Sequence, residues 1–227
     1  MPAENSKAAD ELNQTGNAEQ NMTTQSSNQP PVQQRQTKVT RKTKETDISM
    51  ELNLDGAGRA DIQTGVGFFD HMLDHFARHS MCDLTISAKG DLHIDAHHTV
   101  EDVSLVLGTA LREALGDKRG INRYGWASVP MEDSLANVAL DFSGRPAFVF
   151  NVRFPTPKIG EFDVELVPEA LRSLANTAGM NLHVNVPYGA NSHHIAEGIY
   201  KALAKAVRQA AAIDPRNTGI PSTKGVL

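Results

Sequence analysis

Two copies of one short pattern carry most of the chemistry available to this chain: His97-His98 with Glu101, and His193-His194 with Glu197. Imidazole nitrogens and carboxylate oxygens in such company are the donors that borderline divalent metals take. Apolar positions recur at helical spacing after each pair, at Val103, Val106, Leu107, Ala110, Leu111 and Ala114 in one and Ile195, Ile199, Leu203 and Val207 in the other. That periodicity predicts a helix after each pair, with the histidines in its first turn. Neighbours on a helix point about 100° apart, so adjacent histidines serve two metals more readily than one. Each Glu lies four residues after the first His and three after the second, and can join either. Two such helices facing each other give each metal one His from each pattern. His71 and Glu169, which open matched helices further upstream, add two more donors. A single histidine at a helix start is ordinarily a cap or a surface group; duplication sets these apart. His75, one turn beyond His71, is placed to line the site. His75, His79, His93 and His183 all lack the support of duplication; His93 reads as a surface residue, and His183, inside a strand, reads as structural.

The elements that position these groups are themselves duplicated. Each half runs through a helix (Met72, Leu73 and Phe76 in one, Ala170, Leu171 and Leu174 in the other), a short alternating strand, a loop, the His-His pair and a second helix. Residues 46–54 and 58–63 read as strands about a hairpin signal, Asp55-Gly56, and residues 135–141 and 147–153 as strands about Ser143-Gly144-Arg145-Pro146. Asp95 and Ser192 are placed to cap the two His-bearing helices. The expected architecture is α+β: two tandem β-β-α-β-α repeats, helices on one face of each sheet, related by a pseudo-twofold axis. The expected boundaries are 39–130 for the first repeat and 131–227 for the second, which includes a polar C-terminal segment.

Composition narrows the function. The 227 residues are 40% hydrophobic and 22% charged with a net charge of −5, which argues against nucleic acid as the main partner. No apolar stretch reaches the roughly 20 residues that span a bilayer. A single cysteine, Cys82, excludes an intramolecular disulfide framework and cysteine-rich metal sites. Residues 1–38 are rich in Gln, Asn, Ser and Thr, with Leu12 and Val32 as their only branched aliphatics before Val39. They read as a disordered tail without an apolar leader or a basic transit peptide, so a cytoplasmic location is expected.

The stretches DHMLDHFARH, DAHHTVEDV, RYGWASVPMEDSLA, DFSGRP, GANSHHIAEGIYKALAKAVRQA and PSTKGVL together resemble the imidazoleglycerol-phosphate dehydratase family of histidine biosynthesis, in order from about Val39 to Leu227. The resemblance implies repeats of the ribosomal-protein-S5-domain-2-like type, two Mn2+ ions per active site, and a homo-oligomeric 24-subunit shell built from trimers with sites between subunits. It implies one ion held by His71, His98, Glu101 and His193, and another by His97, Glu169, His194 and Glu197. Many relatives carry His at the position of Glu169. The implied reaction removes water from D-erythro-imidazoleglycerol phosphate to give imidazoleacetol phosphate. Its difficulty is a carbon-bound hydrogen with no adjacent carbonyl, which Lewis acids on both ring nitrogens would ease. Glu45, Glu101 and Glu197 are the candidates for moving the proton. The resemblance implies that Glu45, Arg123, Arg145, Lys201, Ser222, Thr223 and Lys224 bind the substrate and its phosphate. Two other readings, a dinuclear metallohydrolase and a metal-fastened shell protein without catalysis, predict no such dehydration.

Overall fold

A computed structural model describes residues 35–227; the sequence-predicted tail otherwise lies outside the described residues. Two four-stranded sheets enclose four helices. The first half comprises β1 (Gln36–Lys42), β2 (Thr46–Asn53), β3 (Ala60–Gln63), α1 (Gly67–Ser80), β4 (Asp83–Gly90) and α2 (His97–Leu115). The second comprises β5 (Tyr124–Met131), β6 (Ser134–Asp141), β7 (Ala147–Asn151), the small hairpin β8 (Lys158–Ile159) and β9 (Phe162–Asp163), α3 (Leu166–Ala178), β10 (Asn181–Tyr188) and α4 (Ser192–Ala211). Sheet orders are β1-β2-β4-β3 and β5-β6-β10-β7, the same topology twice. The α+β class and the duplication are therefore as expected.

Each four-stranded sheet has one more strand than its sequence suggests, in the same place, and the second half adds the unexpected β8–β9 hairpin. β1 and β5 are edge strands paired only with β2 and β6. The sequence QTKVTRK of β1 has little to bury, so neither apolar alternation nor composition marks it. The fold accordingly begins at Gln36 rather than Val39, and the second repeat begins with β5 at Tyr124 rather than at residue 131.

The Asp55-Gly56 turn does not make a hairpin. β4 is antiparallel to β2 and parallel to β3, and separates the two. The loop is fixed by Asp83 at the start of β4, whose carboxylate accepts from the N–H groups of Ala57 (2.8 Å) and Arg59 (3.0 Å) and pairs with the Arg59 guanidinium. A Cβ at Gly56 would lie 2.3 Å from the Asp83 nitrogen, so only glycine passes here. The path β3–α1–β4 is a parallel crossover, repeated as β7–α3–β10.

Inward residues alternate along the central strands, Ile48, Met50 and Leu52 on β2 and Ala136, Val138 and Leu140 on β6, and they bury against the helices. Across the middle, α1 packs on α4 and α2 on α3, as a pseudo-twofold axis requires. The α2–α3 crossing is close because of Gly108, where a Cβ would lie 2.4 Å from the Leu174 carbonyl oxygen. Cys82 is buried in this core, which pushes its thiol up to about 11. His183 lies on the exposed outer face of β10, in a cross-sheet row with Trp126, Ala139 and Val149.

Candidate metal centre

Helix starts set the backbone of the histidine pairs. At α4 the cap is Asn191, not Ser192: its side-chain oxygen accepts from the N–H groups of His193 (2.9 Å) and His194 (3.3 Å). Ser192 is the first helical residue and its hydroxyl bonds to Thr156 instead. At α2, Asp95 accepts from the His97 N–H at 2.8 Å while Ala96 holds the cap position. Both pairs thus begin a helix with their side chains splayed.

The first member of the second pair turns toward α1. His193 Nε2 lies 3.1 Å from Glu197 Oε2, His71 Nε2 3.7 Å from the same oxygen, and His75 Nε2 3.4 Å from Glu197 Oε1. His71 and His75, one turn apart on α1, bring their Nε2 atoms within 3.3 Å. Among the described residues, His71, His75 and Glu197 are the one group of three donors close enough to share an ion. Ligand bonds of about 2.0–2.1 Å at right angles put neighbouring donors roughly 3 Å apart, so this set fits a divalent metal. Burial alone would raise the Glu197 carboxyl, but the Lys201 ammonium at 2.5 Å, with His75 and His193, holds it at about 2. Burial lowers the His75 imidazole below its ordinary value and favours the neutral form that binds metal.

The second members of both pairs turn to aspartates. His98 Nδ1 donates to Asp91 at 2.9 Å, and His194 Nδ1 to Asp133 at 2.5 Å. Donation from Nδ1 leaves Nε2 as the free acceptor, the arrangement that orients a metal-ligating histidine. The bond to Asp91 raises the His98 imidazole above its ordinary value, and the bond from His194 helps hold the Asp133 carboxyl at about 2. Neither aspartate was expected from the sequence. The signal that finds them is a carboxylate behind each imidazole, and it is visible only in three dimensions.

The remaining expected residues fall into separate places. Glu197, expected beside His97 and His194, sits with His71 and His193; Glu101 lies 3.9 Å from His97 instead. Glu45, in the turn between β1 and β2, is 3.9 Å from His98 Nε2. Glu169 pairs with Arg172 on its own helix. Arg123 is engaged by Asp141 at 2.6 Å and by the Pro221 carbonyl at 2.9 Å, and so fastens the segment holding Ser222, Thr223 and Lys224. Ser222 is partly exposed and accepts from the Lys224 N–H, whereas Thr223 and Lys224 are exposed. Arg145 is exposed on a turn whose carbonyl is fixed by Ser143 and Asn181. A cleft of about 810 Å³ runs from His71 past Asp95 and Ala96 at the start of α2, walled by the β8–β9 hairpin. Phe162 of that hairpin packs on Phe68, which meets the His193 ring edge-on.

Known proteins share this arrangement of elements. The sequence pattern of the imidazoleglycerol-phosphate dehydratase family matches residues 64–207. An imidazoleglycerol-phosphate dehydratase of Ruegeria pomeroyi is 59% identical over 194 residues, covering 85% of this chain and 100% of that protein. One from Symbiobacterium thermophilum is 59% identical over 189 residues, covering 83% and 91%. The crystal structure of the Staphylococcus aureus enzyme superposes with a TM-score of 0.72 at 36% identity, covering 79% of this chain and 99% of that one. The structure from Pyrococcus furiosus in complex with (S)-C348 gives 0.73 at 36%, covering 83% and 100%. With matches of this length and identity on the same fold, the chain belongs to the imidazoleglycerol-phosphate dehydratase family of hydro-lyases.

Proposed function

We propose that this chain is a metal-dependent dehydratase converting D-erythro-imidazoleglycerol phosphate to imidazoleacetol phosphate and water in L-histidine biosynthesis. The observation that carries the metal dependence is the convergence of His71, His75 and Glu197 on one point between α1 and α4, with His193 beside the Glu197 carboxylate. The mixed imidazole and carboxylate donors suit manganese, and the family resemblance favours two ions per active site. Bound there, divalent ions supply Lewis acidity to the imidazole ring of the substrate. His98 and His194, oriented by Asp91 and Asp133, present their Nε2 atoms for the same purpose.

The chain's other groups then divide the remaining work. Arg145 and Lys224, exposed and without an ion pair among the described residues, offer cations to the phosphate. Arg123 holds the Ser222–Lys224 stretch in place through Pro221. Glu45, beside His98 and exposed, is positioned to move the carbon-bound proton; Glu197 is held ionised and tied to Lys201.

The reading includes assembly into a homo-oligomer, on the family resemblance a 24-subunit shell of trimers in the cytoplasm. Two features support assembly. Among the described residues, His97, Glu101, His194 and Glu169 form no group of donors close enough to share an ion. The exposed row Trp126–Ala139–His183–Val149 forms an apolar strip of the kind that a second copy covers. No helix of the described residues is long and apolar enough to cross a membrane. The deciding experiment is turnover of imidazoleglycerol phosphate by purified protein with manganese. Loss of water from that substrate is expected. Hydrolysis of esters or amides without it identifies a metallohydrolase, and metal-dependent assembly without turnover identifies a shell protein.

A further inference from the structure

We infer that Asp102, a buried carboxylate on α2, is a positioning residue for Glu45: it sets the direction of a chain of hydroxyl hydrogen bonds that holds the turn carrying Glu45 beside His98. This rests on the functional reading, in which Glu45 moves the carbon-bound proton, and deepens it.

A carboxylate in this place is costly. Asp102 is 6% exposed, and burial of a charge is unfavourable unless it is paired. Arg41 of β1 pairs with Oδ1 at 2.9 Å, but its own side chain is exposed and it engages one oxygen only. Apolar side chains of similar volume often stabilise such a position at least as well as an ion pair, so stability alone gives no reason for an acid here. The other oxygen, Oδ2, accepts from the Thr46 hydroxyl at 2.5 Å.

The direction of the chain follows from that bond. A carboxylate paired with a guanidinium only accepts, so the Thr46 hydroxyl gives its one proton to Asp102. The contact between the Thr46 and Thr43 hydroxyls, 3.2 Å, is then one that Thr43 donates. Both Thr43 lone pairs are left for the backbone, and they accept from the N–H groups of Glu45 (3.0 Å) and Thr46 (3.0 Å). The Thr43 N–H closes the turn on the Thr46 carbonyl at 2.9 Å. Glu45 ends 3.9 Å from His98 Nε2. His98 and Asp102 are four residues apart on α2, so the helix that presents the imidazole also fixes the carboxylate in front of it.

The duplicated half shows that the fold does not need this acid. Gly198 follows Glu197 on α4 as Asp102 follows Glu101 on α2. A Cβ there would lie 3.5 Å from the Met131 Cβ and 3.7 Å from the Ser134 hydroxyl, so the short β5–β6 turn rests directly on the helix. Asp133 in that turn is held by the N–H groups of Ala190 and Asn191 instead. The β1–β2 turn is longer, and Asp102 spans the space between it and α2. The acid stands only in the half whose turn carries Glu45.

The test uses the full chain loaded with manganese, with turnover of imidazoleglycerol phosphate and amide hydrogen exchange read in the same variants. Asn at position 102 offers one oxygen to two donors, so either Arg41 or Thr46 loses its partner. Misplacing a catalytic group by about 1 Å can cost about 100-fold, so Asp102→Asn should lower kcat by about tenfold or more, with KM and bound manganese little changed. Thr46→Val should act alike, and Thr46→Ser, which keeps the hydroxyl, should keep the rate. Arg41→Met should lower the urea midpoint and leave kcat, because the Thr46 bond survives it. A double-mutant cycle separates positioning from general damage: on a Glu45→Gln background, Asp102→Asn should remove nothing further. Exchange at the Glu45 and Thr46 N–H groups should quicken in Asp102→Asn while Ile48 and Met50 keep their protection. The inference is overturned if the Asp102→Asn and Glu45→Gln losses multiply, if Thr46→Val turns over as the wild type does, or if exchange at Glu45 is unchanged in Asp102→Asn. A wild type that never dehydrates the substrate, while exchange at Glu45 still quickens in Asp102→Asn, refutes the functional reading and leaves the hydrogen-bond chain standing.

Discussion

Asp91 and Asp133 do for the second histidine of each pair what no residue inside the patterns can do. Each accepts a hydrogen bond from Nδ1–H and so decides which nitrogen carries the lone pair. Replacing Asp133 by Asn leaves an amide that can turn either its oxygen or its nitrogen to the ring, and the tautomer is no longer set. Asp133→Asn should therefore lower metal affinity by roughly 10–100-fold with the fold intact, as calorimetric titration with Mn2+ against circular dichroism would show. At this scale the sequence was informative about ligands and silent about their supports. The paired histidines and their glutamates announce themselves by repetition. His194 and Asp133 are 61 positions apart, and no local period connects them. The partner of Glu197 was also hidden, since a Glu at i+3 and i+4 serves either histidine and only the rotation of α4 against α1 selects His193.

The elements were legible where they alternate or repeat at helical spacing, and illegible at the edges. The central strands β2, β4, β6 and β10 bury every second residue, whereas β1 exposes most of its length. Strand order was beyond local reading, because β4 reaches its place between β2 and β3 through the α1 crossover. Asp83, which holds that loop, has its carboxyl well below the ordinary carboxylate value, first through Arg59 and then through two backbone N–H groups. A carboxyl depressed on folding contributes stability above its unfolded value near 4, and the contribution is lost as pH falls below that value. Urea midpoints should therefore fall more steeply for the wild type than for Asp83→Asn as pH drops from about 4 toward 2. Gly108 makes a second claim at this scale. A methyl group there meets the Leu174 carbonyl at 2.4 Å and the Thr177 hydroxyl at 2.1 Å, so α2 and α3 must separate. Gly108→Ala should cost about 3 kcal/mol in denaturant unfolding despite the better helix propensity of alanine.

For the whole molecule, the duplication makes two halves of one topology and unlike chemistry. The first sheet turns a polar face outward, with Asp47, Ser49, Glu51, Thr85, Ser87 and Lys89, while the second turns out Tyr124, Trp126 and Val149. On the proposed assembly, metals close contacts between chains and the apolar strip holds a smaller unit together. Chelator at neutral pH should then convert a large particle to a small oligomer, and manganese should restore size and turnover together; light scattering follows both. A particle that keeps its mass after verified metal removal excludes metals as the fasteners.

The buried thiol of Cys82 turns the molecule into its own clock. It is the chain's one cysteine, 2% exposed, with its ionisation pushed up to about 11. A disulfide reagent at pH 8 finds almost no thiolate in the folded protein and an ordinary one in an opened chain. The rate of colour release in such a reagent therefore counts excursions that expose the core between α1 and β4. The unmodified sequence should label orders of magnitude more slowly native than in urea. Gly108→Ala should speed labelling if those excursions part α2 from α3, and leave it unchanged if α1 and β4 open without disturbing that crossing.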